Sequence, residues 1–512
     1  MRHIRLVCCL TAASLLSAQV ATTTAMKARQ SDGGAAVVRD PGDSAQTATP
    51  PQQLAARALG DTPIFNDLKE LCDSIGGRPT GSPAAQKAVE WAAAKFRAIG
   101  LEPRVEPFRI PSLWLPVSAE AAAIAPAQFP IRLAAAPYSV STPGAIEAPL
   151  VDAGEGADAD FSALGGRARG AIALVHSREM KTFDDLFAEY VRNSSLVAAA
   201  QKAGVAALFL QSTRPRGLLY RHPITLDSSF APFPAAIVSR EHAERLARLA
   251  AKGDVRVRLN LQNKTGGEYE SQNVVAEIRG REKPEEIVLI GAHLDSWDLG
   301  TGAEDNGVNV ALILDLARAF KQLGIAPRRT VRFALFTGEE QGMWGSRRYV
   351  ERHHAELGHF AATMTFDTGS GRLLGFYLNG REDLRAPVND ALQPVSAFGA
   401  TDHAIDAIDG TDNFDFLLSG VPNLVGIQDP IPYLPDYHAE SDTFDRVNQR
   451  EEKTTEAIVA ALLWGLAESP QRLPRQTRAQ VEKLIKDTKL DEQMKPFGQW
   501  DDWQSGRRGI FQ

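Results

Sequence analysis

The chain has 512 residues, of which 44% are hydrophobic and 23% charged, and its formal net charge is −7 at pH 7. This length allows two or three domains, and the mean hydropathy of −0.20 is typical of a globular protein. The acidic balance provides no basic surface for a phosphate backbone, so we expect no nucleic-acid partner.

The first 25 residues have the three parts of a secretory signal peptide. Arg2 and Arg5 form a basic start, residues 6–20 form an apolar stretch too short to cross a bilayer, and small residues lead to a cleavage site after Ala25. We therefore expect an exported protein, periplasmic or extracellular, that is not inserted in a membrane after signal removal. Residues 26–50 lack periodicity, which predicts a disordered leader.

Three cysteines occur in the chain, and two of them, Cys8 and Cys9, lie within the expected signal peptide. Cys72 then remains alone, so no intrachain disulfide can form. An exported protein without disulfides must be stabilised by its core or by a metal.

Helical patterns begin near residue 51. Residues 54–59 and 65–75 form two amphipathic segments, and residues 76–81 form a Gly-rich loop. A longer helix follows, with Ser82 as its cap, Pro83 at its first position and Gly100 at its end. We assign residues 51–117 to the first part of a main domain.

Residues 118–268 form a separate α/β unit, which we interpret as an insertion. Strands are expected at 170–175, 205–210, 235–238 and 255–261, and helices at 195–203 and 240–252. No group of metal-binding side chains occurs in this stretch. His176, His222 and His242 are far apart, and we expect each to lie at the surface or to be hydrogen-bonded rather than to bind a metal.

The main domain resumes at residue 269 and continues to 470, alternating strand and helix. Strands are expected at 274–278, 287–291, 330–336, 361–366, 374–378 and 423–427, and helices at about 305–323, 340–354, 383–394, 411–419 and 450–467. This alternation predicts an α/β fold with a mixed, mostly parallel sheet between layers of helices. Residues 471–512 add a C-terminal helix and a tail, which we expect to pack against the main domain.

Four of the predicted strands are followed by acids or histidine. Taken in chain order, these residues are His293, Asp295, Asp305, Glu339, Glu340, Asp367 and His438. Each has an ordinary explanation when taken alone, as a helix cap, a helix start or a turn residue. Because the carboxyl ends of parallel strands meet at one edge of a sheet, we expect the whole set to form one site.

The chemistry of this set indicates a pair of metal ions. Two histidines with carboxylates and no thiolate suit zinc, and their number suits two ions that share a ligand. Glu339 is not needed as a ligand, which places it as a general base for a metal-bound water. The ligands would be His293 and Asp367 for one ion, Glu340 and His438 for the other, and Asp305 between the two.

These residues make the sequence similar to the co-catalytic zinc exopeptidases. The resemblance covers about residues 55–468 and includes a protease-associated (PA) domain inserted at 118–268. It rests on His293-Leu-Asp-Ser-Trp-Asp298, Asp305, Glu339-Glu-Gln-Gly342, Asp367, Gly410-Thr-Asp412, Gly420-Val-Pro422, His438 and Ser441-Asp-Thr443.

The resemblance implies two zinc ions per chain, held by the five ligands named above, and an activity on short peptides. It also implies Glu339 as the base, Asp295 as the acid that orients His293, a cis peptide bond between Asp305 and Asn306, and a possible homodimer. Asn306 departs from the family pattern, because many members carry an acid there, so the surroundings of the ligands can differ in this chain.

Two other functions are compatible with the same scaffold. A glutaminyl cyclase would use a single zinc ion, and a receptor-like protein would lack catalysis, although the full ligand set and the base argue against both. Aminopeptidase, dipeptidase and carboxypeptidase activities all stay open. Arg372, Arg381 and Arg385 could pair with a substrate carboxylate, but we interpret them as surface residues.

Overall fold

The computed structural model describes residues 48–511. The expected signal peptide and nearly all of the expected leader lie outside this range. The strands are β1 Arg104–Ile110, β2 Leu113–Ala125, β3 Phe129–Ile131, β4 Leu133–Ala135, β5 Ile146–Asp152, β6 Ile172–Val175, β7 Ala207–Gln211, β8 Ala235–Val238, β9 Val255–Gly266, β10 Tyr269–Ile278, β11 Lys283–His293, β12 Arg329–Phe336, β13 Phe360–Thr365, β14 Leu373–Tyr377 and β15 Asn423–Gln428.

Most helices begin within a few residues of the expected positions, the first at Pro50. The helix expected at 195–203 instead begins at Phe183, where Thr182 caps it by accepting from the Asp185 amide. The helices are α1 Pro50–Leu59, α2 Ile64–Glu70, α3 Pro83–Ile99, α4 Asp158–Leu164, α5 Phe183–Ala203, α6 Arg240–Ala250, α7 Val308–Gln322, α8 Trp344–Arg352, α9 Arg385–Leu392, α10 Phe414–Leu418, α11 Gln449–Glu468, α12 Arg478–Asp487, α13 Leu490–Met494 and α14 Gln499–Gln504. Ser82 caps α3 by accepting from the Ala85 amide, as its position predicts.

The main sheet has seven strands in the order β1-β10-β12-β11-β13-β15-β14. The expected mixed α/β sheet is confirmed, but only its central strands β12, β11, β13 and β15 are parallel to one another. Strands β1, β10 and β14 pair antiparallel at the two sides. The parallel strands are covered on both faces, which explains their continuous apolar sequences.

Strand β11 shows how the two helical layers are built. Val288 and Ile290 lie in the core formed with α1, α3, α7 and α11. Ile287 and Leu289, which point to the opposite face, lie in a second core with α8 and α10. The sheet is therefore sandwiched by helices, as the sequence predicts.

A second sheet of eight strands, in the order β3-β2-β9-β5-β6-β7-β8-β4, is formed between Leu113 and Gly266. It is hereafter called the inserted block. Two short links join it to the main sheet. They lie side by side, because Ile110 pairs with Tyr269 and Leu113 pairs with Gly266. Its core also takes up two side chains from main-sheet loops, Trp297 and Ala439.

Helices α12, α13 and α14 pack on the main domain near α10. Trp503 is fully buried there among Phe414, Leu418 and Met494. Within residues 48–511, no helix combines the length and the apolar character that crossing a membrane requires.

Candidate metal centre

The four parallel strands bring the predicted site residues to one edge of the main sheet. His293 is the last residue of β11, Glu339 and Glu340 follow β12, Asp367 follows β13, and His438 lies in the loop after β15. Apolar runs fix these strands in the core, and the polar residues begin where the strands leave it. All of the expected ligands therefore meet at the carboxyl ends of the strands.

Two groups of side chains share Asp305. In the first, His293 Nε2 lies 2.9 Å from Asp367 Oδ1 and 3.2 Å from Asp305 Oδ1. In the second, His438 Nε2 lies 2.8 Å from Glu340 Oε2 and 3.4 Å from Asp305 Oδ2. Each oxygen of Asp305 thus faces a different group, which is the arrangement expected of a ligand between two ions.

The backbone around Asp305 is held by a second carboxylate. Asp442 accepts hydrogen bonds from the Glu304 amide at 2.6 Å and from the Asp305 amide at 3.2 Å. Gly302, with φ of +65°, precedes this turn, and a Cβ there would lie 2.4 Å from the Ser296 side chain. The expected cis peptide bond between Asp305 and Asn306 is confirmed.

Asn306, the residue that departs from the family pattern, bonds directly to a predicted ligand. Its Nδ2 donates to the Phe366 carbonyl at 2.8 Å and to Asp367 Oδ1 at 3.1 Å. An acid could not make these contacts without a proton, so the support of Asp367 in this chain depends on the amide.

The Nδ1 atom of each histidine is bonded to a main-chain oxygen. His293 Nδ1 donates to the Asp295 carbonyl at 3.0 Å, and His438 Nδ1 donates to the Arg221 carbonyl at 3.0 Å. Each Nε2 atom is therefore the one that faces the carboxylates. Arg221 belongs to the inserted block, so this block contributes to the surroundings of a predicted ligand.

Asp295 lies beside His293, as expected, but His293 Nδ1 is closer to the Asp295 carbonyl oxygen than to the Asp295 carboxylate. Its Oδ1 is 3.7 Å from His293 Nδ1, whereas its Oδ2 accepts from Thr80 Oγ1 at 2.8 Å. The Glu339 amide also points at Asp295 Oδ1, at 3.4 Å. The carboxylate thus joins the loops that carry His293 and the expected base.

The site has more negative charge than nearby protein cations balance. Burial, together with the charge of Asp305, raises the pKa of Glu340 well above its ordinary value. Burial also raises the pKa of Glu339, with Asp367 and Asp412 adding to the effect against His293. A raised pKa makes the Glu339 carboxylate a stronger proton acceptor than an exposed glutamate.

The side chains present fit divalent metal ions. Burial lowers the pKa of His438 to about 4, so its Nε2 lone pair faces the oxygens of Asp305 and Glu340 at neutral pH. Asp305 Oδ2 and both oxygens of Glu340 are buried without a hydrogen-bond partner. Lone pairs that converge in this way need a cation between them, and the nitrogen and oxygen donors suit zinc.

Several positioning residues could not be recognised in the sequence. Thr80 and the fully buried Arg78 lie in the loop at residues 76–81, and Arg78 donates to the carbonyls of Thr301 and Gly302 at 2.8 and 2.9 Å. Asp442 and Asp412 occur in quoted motifs but had no assigned role. Asp412 is buried with neither oxygen hydrogen-bonded, and burial raises its pKa to about 7. Of these residues, only Asp412 and Asp442 could have been found from the sequence, because they are acids within the motifs.

Other candidates lie elsewhere. Strand β14 runs antiparallel to β15, so the segment that follows it leads away from the metal edge. In that segment Arg381 pairs with Asp383 at 2.7 Å, and Arg385 pairs with Glu382 at 2.5 Å. Local acids therefore account for both arginines. Arg381 is only 4% exposed, so the expectation of a surface residue is wrong for it.

The histidines of the inserted block differ from one another. His176 contacts Asp152 at 2.8 Å, and His242 Nδ1 accepts from the Arg132 amide at 2.9 Å, as expected of satisfied histidines. The expectation is wrong for His222, which is 1% exposed with neither ring nitrogen hydrogen-bonded. The His222 ring packs against Tyr190 inside the inserted block, a contact that the sequence could not predict.

Comparisons with known proteins agree with this geometry. Residues 273–463 match the family described as Peptidase family M28. Carboxypeptidase Q of Rattus norvegicus is 29% identical over 417 residues, covering 80% of this chain and 86% of that protein. The structure of a Peptidase M28 precursor from Shewanella amazonensis SB2B has a TM-score of 0.74 and 28% identity, covering 83% of this chain and 97% of that one.

A zinc aminopeptidase from Bacillus subtilis, BSAP, has the same fold, with a TM-score of 0.64 at 22% identity over 80% of this chain and 96% of that one. The chain is thus similar to the zinc-dependent exopeptidases of peptidase family M28, as the motifs indicate. The same motifs resemble those of carboxypeptidase Q, also called plasma glutamate carboxypeptidase.

Proposed function

We propose that the chain is an exported exopeptidase with two zinc ions, which removes residues from an end of short peptides. His293 and Asp367 would hold one ion, Glu340 and His438 the other, and Asp305 both. The observation that carries this proposal is the placement of Asp305, whose two carboxylate oxygens lie 3.2 and 3.4 Å from histidines of different groups. A single ion would not need both.

A pair of zinc ions supplies activation of water and polarisation of the scissile carbonyl. The chain's own contribution is proton transfer and orientation. Glu339 would take a proton from the attacking water as the new C–O bond forms, and would then give it to the nitrogen of the leaving amine as the peptide C–N bond breaks. Asp295 contacts the Glu339 amide and lies beside His293, which keeps base and ligand in fixed positions.

Restricted access to the metal centre favours short peptides as substrates. Asp305 and His438 are 3% and 7% exposed, and Arg221 of the inserted block contacts His438 through its carbonyl. We interpret this block, which the sequence predicts at residues 118–268, as a PA domain that supplies no metal ligand and restricts the site to short peptides. Export is proposed from the signal pattern in residues 1–25, and a homodimer from the family resemblance.

The proposal is tested by exchanging the two adjacent glutamates. Glu339→Gln keeps the shape but removes the base, so zinc content should stay near two ions while kcat falls about 10²–10⁴-fold. Glu340→Gln removes a charged ligand and should lower zinc content as well as rate. Metal analysis and peptide hydrolysis on the same samples would measure both.

Glu382 is an exposed glutamate that pairs with Arg385. Glu382→Gln is therefore the matched control and should change neither zinc content nor kcat. If Glu339→Gln loses zinc but keeps its activity per bound ion, the roles of base and ligand are wrongly assigned. One zinc per chain together with cyclisation of amino-terminal glutamine would favour the glutaminyl cyclase alternative. Full zinc loading without turnover on a panel of free and blocked peptides would favour a receptor-like protein.

A further inference from the structure

Tyr437 is in direct contact with a predicted ligand. It precedes His438, and its ring stacks on the imidazole with centroids 3.7 Å apart and an angle of 22° between the planes. Its hydroxyl lies 2.8 Å from the hydroxyl of Tyr190, so the two are hydrogen-bonded. Tyr190 is part of α5 in the inserted block, and the bond therefore crosses between the two sheets.

Two more contacts from the inserted block hold the same dipeptide. Arg214 Nη2 donates to the Tyr437 carbonyl at 3.1 Å, and the Arg221 carbonyl accepts from His438 Nδ1 at 3.0 Å. The main chain, the imidazole and the phenol of residues 437–438 are each fixed by a different residue of the block. Such a set restricts the direction in which the Tyr437 hydroxyl points.

Tyr190 is itself held from two sides. The ring of His222 lies 4.0 Å from its ring, and Phe497 of the C-terminal tail lies 6.2 Å away. His222 is 1% exposed, so the packing behind Tyr190 is dense. The phenol of Tyr190 therefore acts as a fixed partner for Tyr437.

The two hydroxyls carry two hydrogens, and the bond between them uses one. The ordinary pKa of a phenol is about 10. Both groups stay protonated at neutral pH. When Tyr190 donates to Tyr437, the hydrogen of Tyr437 is left for another acceptor at the metal centre.

We propose that Tyr190 is a positioning residue of the metal centre, which bonds the Tyr437 hydroxyl and directs its free hydrogen toward an oxygen of the peptide substrate. This inference rests on the proposed function. It assigns the inserted block a part in turnover beyond restricting access, although Tyr190 itself need not touch the substrate.

The test is a double-mutant cycle on the full-length, zinc-loaded protein, with hydrolysis of a dipeptide as readout. Tyr190→Phe should lower kcat about 3–10-fold, the range of one hydrogen bond, with KM changed less than about twofold and zinc content unchanged. Tyr437→Phe should lower kcat at least as much. The double variant should match Tyr437→Phe alone, because Tyr190 acts only through that hydroxyl.

Tyr349→Phe is the matched control. This buried tyrosine of α8 accepts from Arg332 at 2.6 Å, so its variant loses a comparable hydrogen bond without touching residues 437–438 and should keep kcat. The inference is overturned if Tyr190→Phe leaves kcat unchanged, or if the two variants lower kcat additively.

A second readout separates this inference from the proposed function. If the wild-type protein hydrolyses no peptide, the proposed function fails, and amide hydrogen exchange then decides the positioning role. Tyr190→Phe should speed exchange in residues 430–440, and Tyr349→Phe should not. Equal exchange in wild type and Tyr190→Phe would show that Tyr190 holds nothing in place.

Discussion

Asp442 controls the position of Asp305 through the main chain. Because its carboxylate accepts from the amides of Glu304 and Asp305, the turn that presents both Asp305 oxygens depends on it. Asp442→Asn would turn one accepting oxygen into a donor that faces an N–H. We expect zinc affinity to fall about 10–100-fold, the usual effect of losing support for a ligand. Competition with a chromophoric chelator would measure this affinity.

The control for that variant is in the same loop. Asp436 accepts from Ser441 at 2.6 Å and from Arg446 at 2.8 Å and contacts neither amide. Asp436→Asn should therefore keep zinc affinity within about twofold. Equal losses in both variants would mean that the loop as a whole, rather than the two amide bonds, determines affinity.

His222 should make folding sensitive to acid. Burial lowers its pKa from 6.5 to about 4, against the opposing charge of Glu189. The unfolded chain therefore binds more protons than the folded chain between these values, and stability rises with pH across this window. As pH falls from 7 to 5, His222 should cost about 2 kcal/mol of stability.

His222→Phe keeps a ring of similar size beside Tyr190 and removes the two unbonded nitrogens. We expect the variant to lose less stability than wild type on acidification, with the difference growing below about pH 6.5. Urea unfolding of the zinc-loaded proteins at several pH values would show it. Curves that stay parallel down to pH 4.5 would contradict the shifted pKa of His222.

Functional residues can be predicted from the sequence when their side chains are of types that bind metal ions. His293, Asp305, Asp367 and His438 could be found because histidine and acid after an apolar strand are unusual together. Thr80 could not, because its role is a hydrogen bond to Asp295, 215 positions away in the chain. No sequence pattern identifies a threonine whose role is to hydrogen-bond a residue beside a metal ligand.

At the level of elements, apolar continuity made the central strands predictable. Strand β12 is buried at all eight positions, and its second half, residues 333–336, is an unbroken apolar run, although its first half contains Arg329 and Arg332. Strand β1 was not predicted, because Pro107 within it argues against a strand. It lies at the edge of the sheet, where a proline is tolerated since one side of the strand needs no ladder hydrogen bonds.

The C-terminal helices offer a test of packing. Trp503 of α14 is fully buried, and Arg478 lies over its ring at 4.1 Å. Trp503→Ala should cost about 3–5 kcal/mol through lost burial and a cavity. Urea unfolding would measure the loss. Trp500, on the same helix but only half-buried, is the control and should cost clearly less as alanine.

If both tryptophan variants lose the same small stability, α14 is only loosely attached to the main domain. That outcome would contradict the placement of Trp503 against Phe414 and Leu418. It would also bear on the site, because α10 begins two residues after Asp412.

For the whole molecule, metal and folding should be linked. The acids that converge at the sheet edge repel one another when no cation is bound, and zinc binds a geometry that exists only in the folded chain. Free zinc at about 1,000 times Kd should stabilise the fold by about 4 kcal/mol, and a chelator should remove this gain. Thermal unfolding with chelator, and again after zinc is restored, would measure it.

Magnesium in place of zinc is the appropriate control, since it prefers oxygen ligands and should restore little. A Tm that is the same with and without chelator would mean that the two groups do not bind zinc in the folded protein.

The paired links between the two sheets have a further consequence for the modularity of the gene. Since Ile110 and Tyr269 are antiparallel neighbours, a two-residue Asn-Gly turn could join them as an ordinary hairpin, and the intervening sequence behaves as a removable cassette. Excision would not be clean, however, because Trp297 and Ala439 bury their side chains in the cassette's core. A chain shortened in this way would expose Trp297 to solvent and would need a polar residue in its place.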